Sequence, residues 1–287
     1  MLQMKATVVA NEPLSAECWR MTLAASPIAA AVSPGQFVHV KIGDGNDPLL
    51  RRAFSIFRTI ILKTGERAVQ VVYQVTGRGT GMMSKLRPGD RLDIIGPLGH
   101  GFERFRDRRT HVLLGGGSGA AGLFLLGEEI AGVRQENLNI LLGAETKECL
   151  VLEEDFRDLG GNLMLSTDDG TYGYRGLATE MLLDAIKDGK IPTDCAIYAC
   201  GPWPMLKSLA GICREFNIPA QVAMEKHMMC GIGACMVCVC RVNKAGVSRH
   251  RDLASSHIEL SPDQDWGYAL VCADGPVFNI DEVAFDE

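Results

Sequence analysis

Val112-Leu113-Leu114-Gly115-Gly116-Gly117-Ser118-Gly119-Ala120-Ala121-Gly122 is the stretch on which the fold turns. An apolar run ends in a cluster of glycines, and a helical pattern follows over residues 120–133. Strand, glycine turn and helix together present bare backbone N–H groups and a helix N-terminus to a phosphate. A glycine run alone often makes only a tight turn, but its place at a first strand-to-helix junction points to a nucleotide site. Downstream, strand patterns over residues 138–142, 163–166, 196–199 and 221–224 alternate with helical patterns over 177–187 and 204–216. Alternating strands and helices predict a parallel sheet covered on both faces. Ligands of such sheets sit beyond the carboxyl ends of the strands. Glu145 follows the second strand, where an acidic residue takes the ribose hydroxyls of NADH and repels the 2′-phosphate of NADPH. An exposed loop charge is an equally ordinary reading of that residue.

Upstream the pattern changes. Residues 4–10, 17–25, 36–42, 53–57, 67–75 and 91–95 read as short strands, separated by turns such as Pro34-Gly35 and Pro88-Gly89. The alternation in Phe37-Val38-His39-Val40-Lys41-Ile42 is of strand type. A short helix is expected over 80–86. Six short strands in one block predict a small antiparallel barrel. The Arg51-Arg52-Ala53-Phe54-Ser55 segment offers a cation, an aromatic ring and a hydroxyl on one extended strand. Gly77-Arg78-Gly79-Thr80-Gly81 opens the short helix as a second anion-binding turn. Phosphate-type loops in two different domains suggest two nucleotides, a flavin set against a nicotinamide.

At 287 residues the chain has room for about two domains at ~150 residues each. Its composition, 47% hydrophobic and 22% charged, is that of a globular protein. A net charge of −6 argues against a nucleic-acid binder. The apolar stretch at Val112–Leu126 is broken by glycines well short of the ~20 residues of a membrane span, and residues 1–13 lack the apolar run of a signal peptide. A cytoplasmic location is therefore expected, where thiols stay reduced and clustered cysteines mean metal or redox chemistry. Of 10 cysteines, Cys230, Cys235, Cys238, Cys240 and Cys272 lie in the last fifth of the chain. Cys230-x4-Cys235-x2-Cys238 with a distant Cys272 is the plant-type [2Fe–2S] spacing. A structural zinc site normally takes paired short spacings, and only one such pair is present. Cys240 sits too near Cys238 to reach round a cluster and reads as a buried strand cysteine.

In this order, Arg52-x-Phe54-Ser55, Gly77-x-Gly79-Thr80, the Gly115–Gly119 loop and Cys200-Gly201-Pro202 resemble the ferredoxin–NADP reductase superfamily. With Met229 to Cys238 and Cys272-Ala273-Asp274-Gly275-Pro276-Val277-Phe278, nearly the whole chain resembles the electron-transfer subunits of class 1B dihydroorotate dehydrogenases. The resemblance implies FAD contacts from Arg52, Ala53, Phe54, Ser55, Val72, Tyr73, Gln74, Gly79 and Thr80. It implies that Gly115, Gly116, Gly117 and Gly119 frame NAD together with Cys200, Gly201 and Pro202, with Asp168 nearby. It implies cluster ligation by Cys230, Cys235, Cys238 and Cys272, and no side chain acting as a general acid or base. The implied partner is an FMN-containing dihydroorotate dehydrogenase catalytic subunit, two of each forming a heterotetramer, with electrons passing from dihydroorotate to NAD+ in pyrimidine biosynthesis. The small subunit of an NADH-dependent ferredoxin:NADP oxidoreductase, or a reductase feeding an oxygenase, shares the same parts. The sequence departs from the superfamily pattern at Ala53 and at Ala121-Gly122, where proline is usual, and in a longer stretch between Cys238 and Cys272. The expected architecture is an N-terminal antiparallel Greek-key β-barrel that binds FAD (1–105), a parallel-sheet Rossmann-like NAD domain (106–225) and a small C-terminal iron–sulfur module (226–287).

Overall fold

The computed structural model describes residues 1–285 apart from 44 and 252. Among the described residues, six strands close an antiparallel barrel in the order β1-β2-β5-β4-β3-β6. They are β1 (Leu2–Pro13), β2 (Cys18–Ala24), β3 (Phe37–Lys41), β4 (Arg52–Ile61), β5 (Arg67–Gln74) and β6 (Arg91–Leu98). All six expected strands are present. Alternation decides what each face does: Val38 and Val40 of β3 fill the barrel core with Val8, Met21, Val71 and Ile94. Phe37, of the opposite parity, instead joins the core of the neighbouring domain. Helices α1 (Ser26–Ala29) and α2 (Arg78–Met83) close over the barrel.

The second sheet runs β10-β9-β8-β7-β11-β12-β16. Its parallel members are β7 (Thr110–Gly116), β8 (Asn137–Ala144), β9 (Asn162–Thr167), the two-residue β10 (Tyr174–Arg175), β11 (Cys195–Cys200) and β12 (Ala220–Ala223). Helices α3 (Phe124–Ala131), α4 (Glu153–Arg157), α5 (Ala178–Lys187) and α6 (Trp203–Phe216) connect them. The chain moves outward from β7 to β10, then returns to place β11 on the other side of β7. The reversal leaves a crevice at the carboxyl ends of β7 and β11, where both glycine loops lie. The helix expected over 120–133 starts late. Residues Gly117–Leu123 form a 3-10 turn and only Phe124–Ala131 is α-helical, because Gly117, Gly119 and Gly122 are poor helix formers.

Beyond β12, a three-stranded sheet is formed by β13 (Val239–Asn243), β14 (Glu259–Leu260) and β15 (Trp266–Leu270), with α7 (Lys244–His250) between β13 and β14. Cys240 is buried on β13, as a strand cysteine should be. The chain then returns as β16 (Val277–Asn279), antiparallel to β12 at the edge of the nucleotide-domain sheet. Arg251 fastens this return. It pairs with the fully buried Glu282, donates to the carbonyls of Asp274 and Val277, and lies over Phe278. No helix among the described residues is long and apolar enough to cross a membrane.

Candidate redox site

The crevice at the strand reversal opens into a cavity of about 720 Å³. Its floor consists of two glycine loops pressed backbone to backbone. A Cβ on Gly119 would stand 3.0 Å from Gly201 Cα, and one on Gly116 would stand 2.8 Å from both Pro202 Cδ and Met205 Sδ. Only glycines allow this approach, which leaves backbone rather than side chains lining the cavity there. Gly116, Gly117, Gly119, Asp168, Gly201, Pro202 and Gln74 all line it. Gly115 and Cys200 lie just behind, at the ends of β7 and β11, and a Cβ on Gly115 would meet Ala120 at 2.7 Å.

The far wall of the cavity is acidic. Glu145 and Glu148 follow β8 and Asp168 follows β9, all lining the same space. Burial raises the Asp168 carboxyl above its usual range, and the nearby Glu145, Asp169 and Glu180 raise it further. Such a wall favours hydroxyl donors and disfavours a second phosphate.

On the barrel side, Ser55 reaches the domain boundary. A Cβ on Gly122 would lie 3.4 Å from Cys200 Sγ and 3.5 Å from Ser55 Oγ, so both side chains flank the 3-10 turn. Burial, then Glu225, pushes the Cys200 thiol far up, which keeps it neutral. The Arg52 guanidinium lies against Gly79 in the first turn of α2, about 3.2 Å from where a Cβ would be, and donates to the Leu50 carbonyl at 2.5 Å. The Thr80 hydroxyl accepts from the amides of Thr76 and Gly77, fixing that turn. Phe54 stands 5.8 Å from the Tyr73 ring. Tyr73 points into the barrel core, donates to Asn11 at 2.9 Å, and is pushed up to about 12 by burial. Val72 packs at the boundary between the domains. Ala53 is paired with His39 across β4 and β3.

The cysteine loop wraps by adopting left-handed backbone at Gly231 (φ 73°), Gly233 (φ 85°) and Met236 (φ 59°). The last costs roughly 1–2 kcal/mol for a side-chain-bearing residue, strain of a kind that collects at functional sites. The four thiols fall into two pairs, Cys230 with Cys235 and Cys238 with Cys272. Backbone amides are aimed at the sulfurs. Ala234 donates to Cys230 Sγ at 3.3 Å, Gly233 to Cys272 Sγ at 3.2 Å, and Cys272 to Cys238 Sγ at 3.4 Å. Burial would raise the Cys230 thiol, but the amide of Ile232, the Cys235 thiol and further amides bring it down to about 7. Contact with Cys272 lowers Cys238 to about 6, and the same contact raises Cys272. Among the described residues, no three His, Cys, Asp or Glu gather round one ion-sized point. Two cysteine pairs with amide donors match the ligand set of a two-iron cluster, one pair to each iron.

No family model matches the chain. It is 36% identical over 279 residues to the dihydroorotate dehydrogenase B (NAD(+)) electron transfer subunit of Geobacillus thermodenitrificans strain NG80-2, covering 96% of each chain. The subunit of the same name from Bacillus mycoides strain KBAB4 is 34% identical over 286 residues, 99% of each. The chain belongs to the dihydroorotate dehydrogenase B electron transfer subunits. Among solved structures, that of an NADH-dependent reduced ferredoxin-NADP oxidoreductase studied for flavin-based electron bifurcation superposes with a TM-score of 0.78 at 24% identity. It covers 98% of this chain and 90% of that one. A ferredoxin NADP+ reductase from Neisseria gonorrhoeae, with bound FAD and NADP, gives 0.64 at 17% identity over 75% and 92%. Both share the barrel-plus-parallel-sheet fold of this electron transfer subunit.

Sequence reasoning missed several residues of this subunit's site. Glu225 follows β12, lines the cavity, and has its carboxyl raised by the protein around it. The rule that ligands sit beyond strand ends would have found it. Glu148, Met205 and Ser208 line the cavity without a motif to announce them. Asp155 of α4 pairs with Arg20 of β2 and lies 3.9 Å from Arg58 of β4, binding the nucleotide domain to the barrel. His39 of β3, lowered to about 4 by burial and then by Arg51, packs against the cysteine loop.

Proposed function

We propose that this chain carries electrons between NAD+ and a partner catalytic subunit that oxidises dihydroorotate, through FAD and a [2Fe–2S] cluster. Flavin is required between the two because a nicotinamide exchanges hydride while an iron–sulfur cluster exchanges single electrons. In this reading residues 1–105 hold FAD, 106–225 hold NAD and 226–287 hold the cluster. Arg52 and the Gly79-Thr80 turn take the diphosphate, Ser55 and Cys200 flank the meeting point of the two ring systems, and the amides of Gly115 to Gly119 take the dinucleotide phosphates. The neutral Cys200 thiol packs there without imposing charge. The acidic wall of Glu145, Glu148 and Asp168 selects NAD over NADP. Cys230, Cys235, Cys238 and Cys272 hold the irons. No side chain serves as an acid or base.

What carries this reading is the arrangement of four thiols in two amide-supported pairs beside the barrel strand that pairs with Arg52–Ser55. The partner is read from the surface around them. Met229, Ile232, Met236 and Val237 are 41–48% exposed on the cysteine loop itself, apolar residues of the kind an interface core covers. We assign them to the FMN-containing catalytic subunit, two copies of each chain forming the heterotetramer, in the cytoplasm.

The test is to purify the chain with its native partner. A yellow-brown complex with flavin, two irons and acid-labile sulfide per chain, bleached by NADH or by dihydroorotate, is expected. A colourless chain, or one with zinc and no sulfide, overturns the reading. Co-purification of a large iron–sulfur flavoprotein in place of a dihydroorotate-oxidising barrel overturns the choice of partner.

A further inference from the structure

His39 has no part in the function proposed above, yet it is fully buried with neither ring nitrogen hydrogen-bonded. A buried polar side chain left unsatisfied costs about 1–3 kcal/mol, so its retention calls for a compensating role. Parity explains where it points. Val38 and Val40 face the barrel core, so His39 faces outward with Phe37, toward the third module. Its ring lies under the first turn of the cysteine loop: a Cβ on Gly231 would meet Nδ1 at 2.6 Å and Cε1 at 3.0 Å. The left-handed φ of Gly231 and this contact both restrict that position to glycine. The backbone carbonyls of Cys230 and Arg51 face the imidazole, but neither is aligned for a hydrogen bond. On its other side His39 pairs with Ala53 in β4 and Ile95 in β6. Arg51 fastens its backbone by donating to the His39 and Asp93 carbonyls at 3.3 and 2.8 Å.

We propose that His39 is a positioning residue that seats the Cys230–Gly231 turn on the flavin-bearing side of the barrel and sets the orientation of the Cys230 peptide. The inference rests on the cluster and flavin assignments above. The ring N–H is the donor available to the Cys230 carbonyl in the loaded loop. Tilting that peptide tilts the amides of Ile232 and Ala234, which donate to Cys230 Sγ at 3.5 and 3.3 Å. Amide donors to a ligand sulfur favour the reduced, more negative cluster, so losing their alignment lowers its potential.

The experiment compares wild type, His39→Phe and His39→Gln in the intact complex with the partner. Phenylalanine fills the space without a donor, while glutamine keeps one. Expected for His39→Phe are wild-type flavin content and wild-type reduction of flavin by NADH. Its electron paramagnetic resonance spectrum should be altered, its cluster midpoint lower, and transfer from flavin to cluster slower by about tenfold, the low end for losing support to a metal ligand. His39→Gln should recover the spectrum and midpoint. If His39→Phe loses flavin, the smaller His39→Leu, which also lacks a donor, decides instead: it should keep flavin and reproduce the altered spectrum. An unchanged spectrum and midpoint in the decisive variant overturns the proposal, as does a His39→Gln variant no better than His39→Phe. A wild-type complex without sulfide would overturn the cluster assignment itself and is recognised before any variant is made.

Discussion

Replacing Asp155 with alanine should loosen the joint between barrel and nucleotide domain, and the structure bounds the size of the effect. Asp155 of α4 is the carboxylate facing two barrel arginines, Arg20 and Arg58, which themselves lie over the Phe57 ring at 5.1 and 5.6 Å. Phe57 in turn stands 4.4 Å from Phe124 of α3. Breaking a fully buried ion pair costs about 3–5 kcal/mol and an exposed one about 0–1. Here the side chains of Asp155 and Arg20 are 13% and 15% exposed and that of Arg58 is 29% exposed. Both guanidiniums keep their aromatic contacts, so about 2 kcal/mol is the expected loss. At about 2–4 °C per kcal/mol for a chain of this order of size, Tm should fall by roughly 4–8 °C. Because the charges are mostly covered, the loss should change little with added salt. The Phe57–Phe124 contact of this joint lies two residues along the chain from Ser55 and from Gly122, which Ser55 and Cys200 both flank. Stopped-flow reduction of bound flavin by NADH should therefore slow several-fold, since a misplacement of about 1 Å between reactants is costly. Lys190→Ala is the control. Its pair with Asp188 joins side chains 66% and 57% exposed, so its Tm should stay within about 2 °C of wild type. Equal Tm values for Asp155→Ala and Lys190→Ala, with equal rates of flavin reduction, would refute the reasoning.

Other outcomes follow from the same geometry. Glu145→Gln combined with Asp168→Asn removes two charges from the acidic wall and should raise the NADPH-to-NADH ratio of kcat/KM about tenfold, or about 1.4 kcal/mol; an unchanged ratio would place the ribose elsewhere. In iron-free protein, the Cys230 thiol at about 7 should be half ionised at neutral pH. Its alkylation rate, followed by mass spectrometry, should fall as pH drops below 7 and level off above about 8. Cys213, pushed up to about 12 by burial, should stay unlabelled throughout. Cys272→Ser should abolish acid-labile sulfide whereas Cys240→Ser should retain it, and the reverse pattern would reassign the fourth ligand.

Features with a local signature were legible in the sequence. Alternation in segments such as Phe37 to Ile42 marked the barrel strands, and the glycines after Leu114 marked the strand-to-helix junction. The spacing from Cys230 to Cys238 marked the loop in which the structure brings the thiols into pairs. What escaped was long-range or too short to carry a period. Val277-Phe278-Asn279 offers three residues, too few for a pattern, and its pairing with β12 is fixed by the anchoring of Arg251 to Glu282 rather than by propensity. Asp155 finds Arg20 only because the barrel and α4 pack together, and one acidic residue in an acidic helix gives no hint of that. His39 looked like any polar residue on an alternating strand. Its significance depends on Gly231, far away in the chain. The helix after the glycine loop begins at Phe124 rather than at Ala120, because the glycines through Gly122 favour a 3-10 turn that an apolar pattern does not reveal.

The edge pairing of β16 with β12 makes assembly of the sheet and loading of the metal a linked equilibrium. All four cysteines proposed to hold the cluster lie on the stretch from Met224 to Pro276 that separates these two adjacent strands. Closing so long a connection costs chain entropy that the three residue pairs of the β12–β16 ladder offset only in part. A cluster bridging Cys238 to Cys272 is a cross-link inside that loop, shortening the free segment before the edge strand can dock. Whatever stabilises the cluster therefore stabilises the sheet edge, and the reverse must hold by the same amount. Amide hydrogen exchange at Val222, which lies outside the cysteine-bearing loop and by parity with Met224 directs its N–H at the returning strand, should report the iron content of the protein.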